Sequence, residues 1–332
     1  MPTRIRSSRR HFTLGLASSL VAAPFVASRA FAQDYPHGPL QIAVAYGPGG
    51  GTDTFARVLA PLLSKSLGRP VTVQNLPGGG GQVAATTLLR DGGDGLLILA
   101  TNEPDLSMST VFNRPPYKIS DFQVVMVDVV DPRVMLVQSG SDIAGFADFV
   151  ARAKAAPRKL AVSIAQGSAQ ETFAKWLFEK LEIQVRLVGY AGGGPSANAL
   201  LAGDVTATIG DDFARLNIRD KSKALFVGAP RKSPRWPEAP TLTEALAPFG
   251  VTPPSQSFLA RYGVYAVPSA FKAKNPSAYA KLQKAMLEAR ETPEFQKHIT
   301  TLNIADLSVG RPGEEFASAF ASDLTAITNL RN

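Results

Sequence analysis

The apolar positions of this chain switch repeatedly between two periods. Leu40-Gln41-Ile42-Ala43-Val44-Ala45 is a short, nearly continuous apolar run, which predicts a buried strand. Phe55, Val58, Leu59, Leu62, Leu63 and Leu67 then recur at helical spacing until Gly68, a C-terminal cap. The pattern continues with strands at 71–73, 95–100, 124–130, 134–138, 160–164, 185–190, 205–209 and 262–268. Helices are expected at 83–89, 143–153, 172–181, 196–201, 278–289, 294–300 and 314–324. Such alternation predicts an α/β protein. Pro61 should kink the first helix, Asp131-Pro132 separates two of the strands, and Phe316, Phe320 and Leu324 share a face expected to pack in the core.

Between the first strand and helix lies Tyr46-Gly47-Pro48-Gly49-Gly50-Gly51-Thr52-Asp53. A glycine-rich turn into a helix aims free backbone N–H groups outward along the positive end of the helix dipole. That is a seat for an anion without any charged side chain, and glycine lets the backbone approach a ligand closely. No Lys follows the glycines, as a Walker loop requires. Thr52 stands where a dinucleotide fingerprint needs its last glycine, so both nucleotide readings fail. A tight turn with no ligand stays open on these residues alone.

The same arrangement recurs. Gly78-Gly79-Gly80-Gly81 precedes the second helix, and Ala165-Gln166-Gly167-Ser168-Ala169-Gln170-Glu171 follows a strand. Ser168 and Glu171 have capping-box spacing there. Ala191-Gly192-Gly193-Gly194-Pro195 precedes another helix. Thr101-Asn102-Glu103 lies at the carboxyl end of a strand, the edge where open α/β sheets bind ligands. Asp211-Asp212 end a strand, so their side chains point to opposite faces and do not form a carboxylate pair.

A chain of 332 residues has room for two domains, and 45% apolar is ordinary globular composition. The net charge of +8 suggests nucleic acid until it is located. Five of the 35 basic residues and no acid fall within 1–32, leaving 30 basic against 27 acidic residues. Nucleic-acid binding therefore has no electrostatic support. Ser8-Arg9-Arg10-His11-Phe12, the apolar stretch Leu14 to Val26 and Ala30-Phe31-Ala32 compose an export signal cleaved after Ala32, which places the mature protein in the periplasm. The paired arginines resemble a twin-arginine signal; a Sec signal that happens to carry them is the alternative. No cysteine exists for lipid attachment or disulfides, and no other stretch is long enough to span a membrane.

Catalysis finds little support. Beyond the signal only His37 and His298 remain, without metal-ligand spacing. Gly167-Ser168 is not a nucleophile elbow, because it is followed by Ala169-Gln170, with Gln170 where the last glycine would be. The expectation is a protein that is not an enzyme and has no cofactor or metal. Arg57, Arg215 and Arg261 could each pair with a ligand carboxylate or be structural.

The order of these motifs resembles the solute-binding proteins of tripartite tricarboxylate transporters, the Bug or TctC family. The matching stretches are Tyr35-Pro36, Gly47 to Asp53 with Ala56-Arg57, Val73 to Gly78, and Asp94-Gly95. Further along come Ser120-Asp121-Phe122, Gly167-Ser168, Gly189 to Gly193, Leu200 to Val205 and Pro240-Thr241-Leu242 with Glu244-Ala245. The resemblance implies a type II periplasmic binding protein: two α/β domains joined by two crossing segments around a ligand cleft. The domains would comprise 33–134 with 229–332, and 135–228. Carried over, Tyr46, Gly49, Gly50, Gly51 and Thr52 hold a ligand carboxylate on one side and Gln166, Gly167, Ser168 and Ala169 on the other. Tyr190, Gly192, Gly193 and Asp211 line the cleft, and Asp53 is structural. A monomer would capture a small organic acid and deliver it to membrane permease subunits. A ligand-presenting component of a signalling receptor is the alternative role. Ala191 stands where the family usually has lysine, and Ala169-Gln170 departs from its second loop, which bears on the ligand's charge and size.

Overall fold

The computed structural model describes residues 35–112, 114–252 and 259–329; the segment expected to be an export signal lies outside them. The chain opens with β1 (Leu40–Val44), α1 (Gly51–Leu67), β2 (Val71–Asn75), α2 (Gln82–Asp91), β3 (Leu97–Glu103) and α3 (Asp105–Phe112). Then follow β4 (Phe122–Gln138), α4 (Phe146–Ala155), β5 (Ala161–Ala165), α5 (Ala169–Lys180) and β6 (Arg186–Tyr190). α6 (Gly193–Ala202), β7 (Ala207–Asp211), β8 (Ser222–Val227) and α7 (Leu242–Leu246) come next. The last elements are β9 (Ala260–Pro268), α8 (Ser269–Lys274), α9 (Pro276–Glu291), α10 (Pro293–Thr301), β10 (Ser308–Pro312) and α11 (Ala317–Asn329).

One long strand joins two α/β halves. The strand order is β2-β1-β3-β9-β4-β7-β5-β6, with β10 and β8 also on β4. The first part of β4 pairs with β9 and β10, the second with β7 and β8. β1 lies parallel to β2 and β3, and β5 lies parallel to β6 and β7. β3 and β5 are buried at every residue, as expected of strands covered on both faces. Phe55, Leu59 and Leu63 of α1 pack with Ile98, Met286 and Phe295 in one core; Phe149, Phe173, Leu177 and Phe226 pack in another.

Two elements differ from the sequence expectation. Asp131-Pro132 does not divide two strands; β4 is a single strand of 17 residues. Pro132 is tolerated because the ladder changes partner there. Along β4, pairing with β9 stops at Pro132 opposite Ala260, and pairing with β7 starts at Arg133 opposite Asp211. The Pro132 carbonyl still accepts from Asp212 N–H at 2.7 Å, so only the N–H that proline lacks goes unused. α1 continues through Pro61, which is exposed, so water can reach the carbonyl deprived of its partner; the helix is kept whole from Gly51 to Leu67. Phe316 and Phe320 are half-buried: they stack on each other and meet Tyr262 edge-on, covering the sheet instead of entering a core.

The two passages between the halves are tied together at Arg133. Its N–H donates to Leu259 O at 2.8 Å and its carbonyl accepts from Gly228 N–H at 2.7 Å. Among the described residues, no helix is long and apolar enough to cross a membrane.

Candidate functional site

β1, β5 and β6 each end in a glycine turn that opens α1, α5 or α6, and the structure brings the three turns together. Gly47 N–H donates to Ala191 O at 3.1 Å, joining the first turn to the third across the two halves. The backbones are so close that a Cβ on Gly194 would fall against Pro48 O, and one on Gly80, whose φ is +66°, against Gly167 O. Glycine is required here by proximity as well as by backbone angle.

Two cavities lie among these turns. The larger, of about 380 Å³, is bounded by Tyr46, the Gly78–Gly81 turn with Gln82, Gln166-Gly167, and Tyr190 to Gly192, and no charged side chain lines it. The smaller, of about 30 Å³, lies among Tyr46, Gly50, Gly51, Thr52, Ser168, Gly193 and Asp211, with Asn102, Asp105, Gln170 and Arg261. The expected residues thus divide between the two, except for two. Gly49 is exposed and its N–H donates to Asp53 Oδ2 at 3.0 Å. Ala169 is buried with its N–H on Asp105.

The first turn keeps open donors. The N–H groups of a first helical turn have no intrahelical partner, and α1 has no side-chain cap at Gly50. Asp53 braces the turn from below, accepting from Gly49, Asn75 Nδ2 at 2.9 Å and Arg57 Nε at 3.1 Å. Burial works to raise its pKa, but Arg57 and the Gly49 N–H hold the carboxyl below its ordinary value. Asp53 and Arg57 are therefore brace and counter-ion.

The second turn is more committed. Gln166 N–H donates to Tyr190 O at 2.9 Å and Gly167 N–H to Glu171 Oε2 at 2.7 Å. Ser168 Oγ accepts from Gln170 N–H at 3.2 Å and donates to Ala165 O. The capping box is therefore shifted: Glu171 reaches Gly167 and not the N–H of Ser168 itself.

Beneath the small cavity lies a buried charge cluster at the junction of the halves. Arg133 pairs with Asp211, and Arg261 reaches Asp131 at 2.8 Å and Asp211 at 3.3 Å. Burial opposes the charge on Arg261, but Asp131 and Asp211 raise its pKa. Arg261 Nη1 also donates to Thr52 Oγ1 at 3.2 Å and Asn102 Oδ1 at 3.1 Å, fixing the start of α1. Asp212 points the other way, to Arg235 at 2.8 Å. Arg215 is wholly buried and donates to Gly193 O at 3.0 Å and Thr208 Oγ1 at 3.2 Å, which holds the third turn. Burial pulls its pKa down to about 10.

Sequence reasoning placed Asn102 at a ligand-binding strand edge but did not assign the Gly78–Gly81 turn, Asp105 or Gln170 to the site. The glycine run carried a usable signal in its likeness to the other turns. Asp105 carried none, since its place depends on α3, for which the apolar spacing gives no helical stripe.

The family model described as tripartite tricarboxylate transporter family receptor, TctC, matches residues 55–311. The chain is 30% identical over 256 residues to Protein BugT of Bordetella pertussis, covering 75% of this chain and 78% of that protein. It is 28% identical over 310 residues to the UPF0065 protein in the gbd 5' region of Cupriavidus necator, covering 89% of each. Among solved structures, the periplasmic binding protein BugD superposes with a TM-score of 0.78 at 22% identity, covering 89% of this chain and 97% of that one. MatC from Rhodopseudomonas palustris with bound malate gives 0.77 at 21% identity, covering 89% and 100%. An R. palustris protein with adipate gives 0.76 at 20% identity, covering 89% and 98%. These likenesses establish the two-domain periplasmic binding protein fold. The chain belongs to the tripartite tricarboxylate transporter receptor family, the Bug or TctC solute-binding proteins.

Proposed function

We propose that this chain is an exported binding protein that captures a small organic carboxylate between its halves and delivers it to tripartite tricarboxylate-type permease subunits. The observation that carries the reading is the 380 Å³ cavity walled by glycine turns from both halves and by no charged side chain. Such a wall recognises an anion through backbone N–H groups and helix dipoles, and charge-assisted bonds of this kind are about twice as strong as neutral ones. Solved relatives that hold malate and adipate agree with a carboxylate ligand.

In this reading Gly50, Gly51 and Thr52, around the smaller cavity, seat the carboxylate, with Tyr46 bordering both cavities; Ser168 and Gly193 close the smaller one, and Gln166, Gly167, Tyr190 and Gly192 close the larger one over the rest of the ligand. Gly49 and Ala169 shape their turns, and Asp211 holds the junction. The domains are 33–134 with 229–332, and 135–228, hinged where Arg133, Gly228 and Leu259 are bonded together. Binding without chemical change is the expected activity.

The test is a thermal-shift screen of mono-, di- and tricarboxylates, followed by calorimetry of the best ligand with Gly50→Val and Ser168→Ala. At least one carboxylate should raise the melting temperature, be recovered unaltered, and bind Gly50→Val at least about tenfold more weakly, since a side chain there blocks the first-turn N–H groups. Parental affinity in both variants would remove these turns from the site.

A further inference from the structure

Three helix starts meet around the smaller cavity, and they are not alike. A Cβ built on Gly50 would lie 3.6 Å from Gly194 N and 3.9 Å from Gly193 N, so the first turns of α1 and α6 face each other. Neither has a side-chain cap. The start of α5 is already satisfied: Ala169 N–H donates to Asp105 Oδ1 at 2.5 Å, and Gln170 N–H to Ser168 Oγ at 3.2 Å.

The charges follow the same division. Arg133 and Arg261 are matched by Asp131 and Asp211, which leaves one acid and one base. Asp105, 5% exposed, receives only neutral donors among the described residues; besides Ala169 these are the Tyr46 hydroxyl at 2.7 Å and Asn102 Nδ2 at 3.3 Å, both on Oδ2. Arg215 is wholly buried and among the described residues donates only to neutral acceptors, Gly193 O, Ser196 Oγ, Thr208 Oγ1 and Ile209 O. With its pKa pulled down only to about 10, it remains a cation at neutral pH. Its Nη1 lies 3.2 Å from where a Cβ on Gly193 would stand, so its charge backs the open start of α6. The smaller cavity is thus positive at the α1 and α6 starts and negative at Asp105.

We propose that this cavity takes a zwitterionic head, with the ligand carboxylate on the α1 and α6 starts and an ammonium group, on the carbon next to it, against Asp105. The inference rests on the carboxylate-binding reading above and names the ligand class, an amino carboxylate. A plain carboxylate seated here would meet Asp105 as a like charge in a buried site, at a penalty. An ammonium between the two carboxylates replaces that repulsion with two attractions and supplies the counter-charge that the neutral donors to Asp105 do not. A carboxylate has roughly four acceptor sites, and the three donors to Asp105 leave one for the ammonium. Tyr46 and Ala165 border both cavities, so the rest of the ligand extends into the larger one.

The experiment uses isothermal calorimetry at neutral pH with three sets of acids: propionate, lactate and alanine; succinate, malate and aspartate; glutarate, 2-hydroxyglutarate and glutamate. Members of a set share carbon chain and carboxyl groups and differ only in carrying hydrogen, hydroxyl or ammonium on the carbon next to a carboxyl. In the set that binds best, the parent should hold the amino member at least about tenfold more tightly than the other two. Asp105→Asn, which keeps the size and removes the charge, should erase that preference; Asp105→Ser serves if the asparagine variant does not fold. An unsubstituted or hydroxy acid bound as tightly as its amino counterpart by the parent, or an unchanged ratio in the variant, overturns the proposal while leaving carboxylate capture in place. Binding of no member of any set overturns both.

Discussion

Gly194→Ala separates closure of the cleft from folding of the halves. Gly194 lies in the first turn of α6, where a helix accepts alanine more readily than glycine by about 0.5–1 kcal/mol. The atoms nearest the new methyl belong to the opposite half: it falls against Pro48 O, with Gly49 C at 3.1 Å and Gly50 N at 3.3 Å. Real Cβ contacts begin near 3.0 Å and ordinary ones near 3.4 Å. Relief therefore parts the two turns by about 1 Å, and the bond from Gly47 N–H to Ala191 O stretches beyond hydrogen-bond reach. Losing that bond removes about 1 kcal/mol, and the gap forfeits a quarter to a half of each dispersion contact across it. The sum of about 1–2 kcal/mol predicts a 5–30-fold weaker ligand. Calorimetry measures the affinity, and urea unfolding checks that stability changes by less than about 1 kcal/mol. Parental affinity in a well-folded Gly194→Ala protein would refute the reasoning, because the turns would then not need to meet.

Two further predictions concern the charges around the site. Arg261→Leu leaves Asp131 and Asp211 buried with less compensation and should lower unfolding free energy by about 3–5 kcal/mol, read from urea denaturation; a loss under 1 kcal/mol would mean the cluster is not a structural anchor. Acid should act on the turn braces: burial raises the carboxyl pKa of Asp53 and Glu171, but Arg57 and Gly49 for the first, and Lys175 and Gly167 for the second, hold both below the ordinary range. A depressed carboxyl stabilises the fold above its unfolded value near 4 and loses that contribution as pH falls through the folded value, so the contribution of these two braces should be level from pH 7 to about 5 and fade below 4, read as a shallower acid decline of the unfolding midpoint in Asp53→Asn than in the parent.

The α/β class and most elements were legible because each has a clear period and a glycine at its end. The third turn shows how far this reached: strand, glycines and helix were all readable at 185–201, although α6 starts inside the glycine run at Gly193. What was hidden depends on contacts between distant residues. β4 reads as two strands because Pro132 is a breaker locally; only the change of pairing partner at Ala260 and Asp211 makes it continuous. The ion cluster joins residues up to 130 positions apart, and no spacing announces it. Asp105 lay beyond sequence reasoning for the same reason, since Ala169 is 64 positions away.

The claim that main-chain N–H groups of the glycine turns hold the ligand is tested most directly by NMR on protein labelled with ¹⁵N only at its 28 glycines, titrated with the best carboxylate from the screen. The account predicts that Gly50 and Gly51 move most, with Gly192 and Gly193 following as the halves close, while Gly68 and Gly250, at helix ends outside the cavities, stay fixed. Saturating ligand that leaves Gly50 and Gly51 unmoved would contradict it.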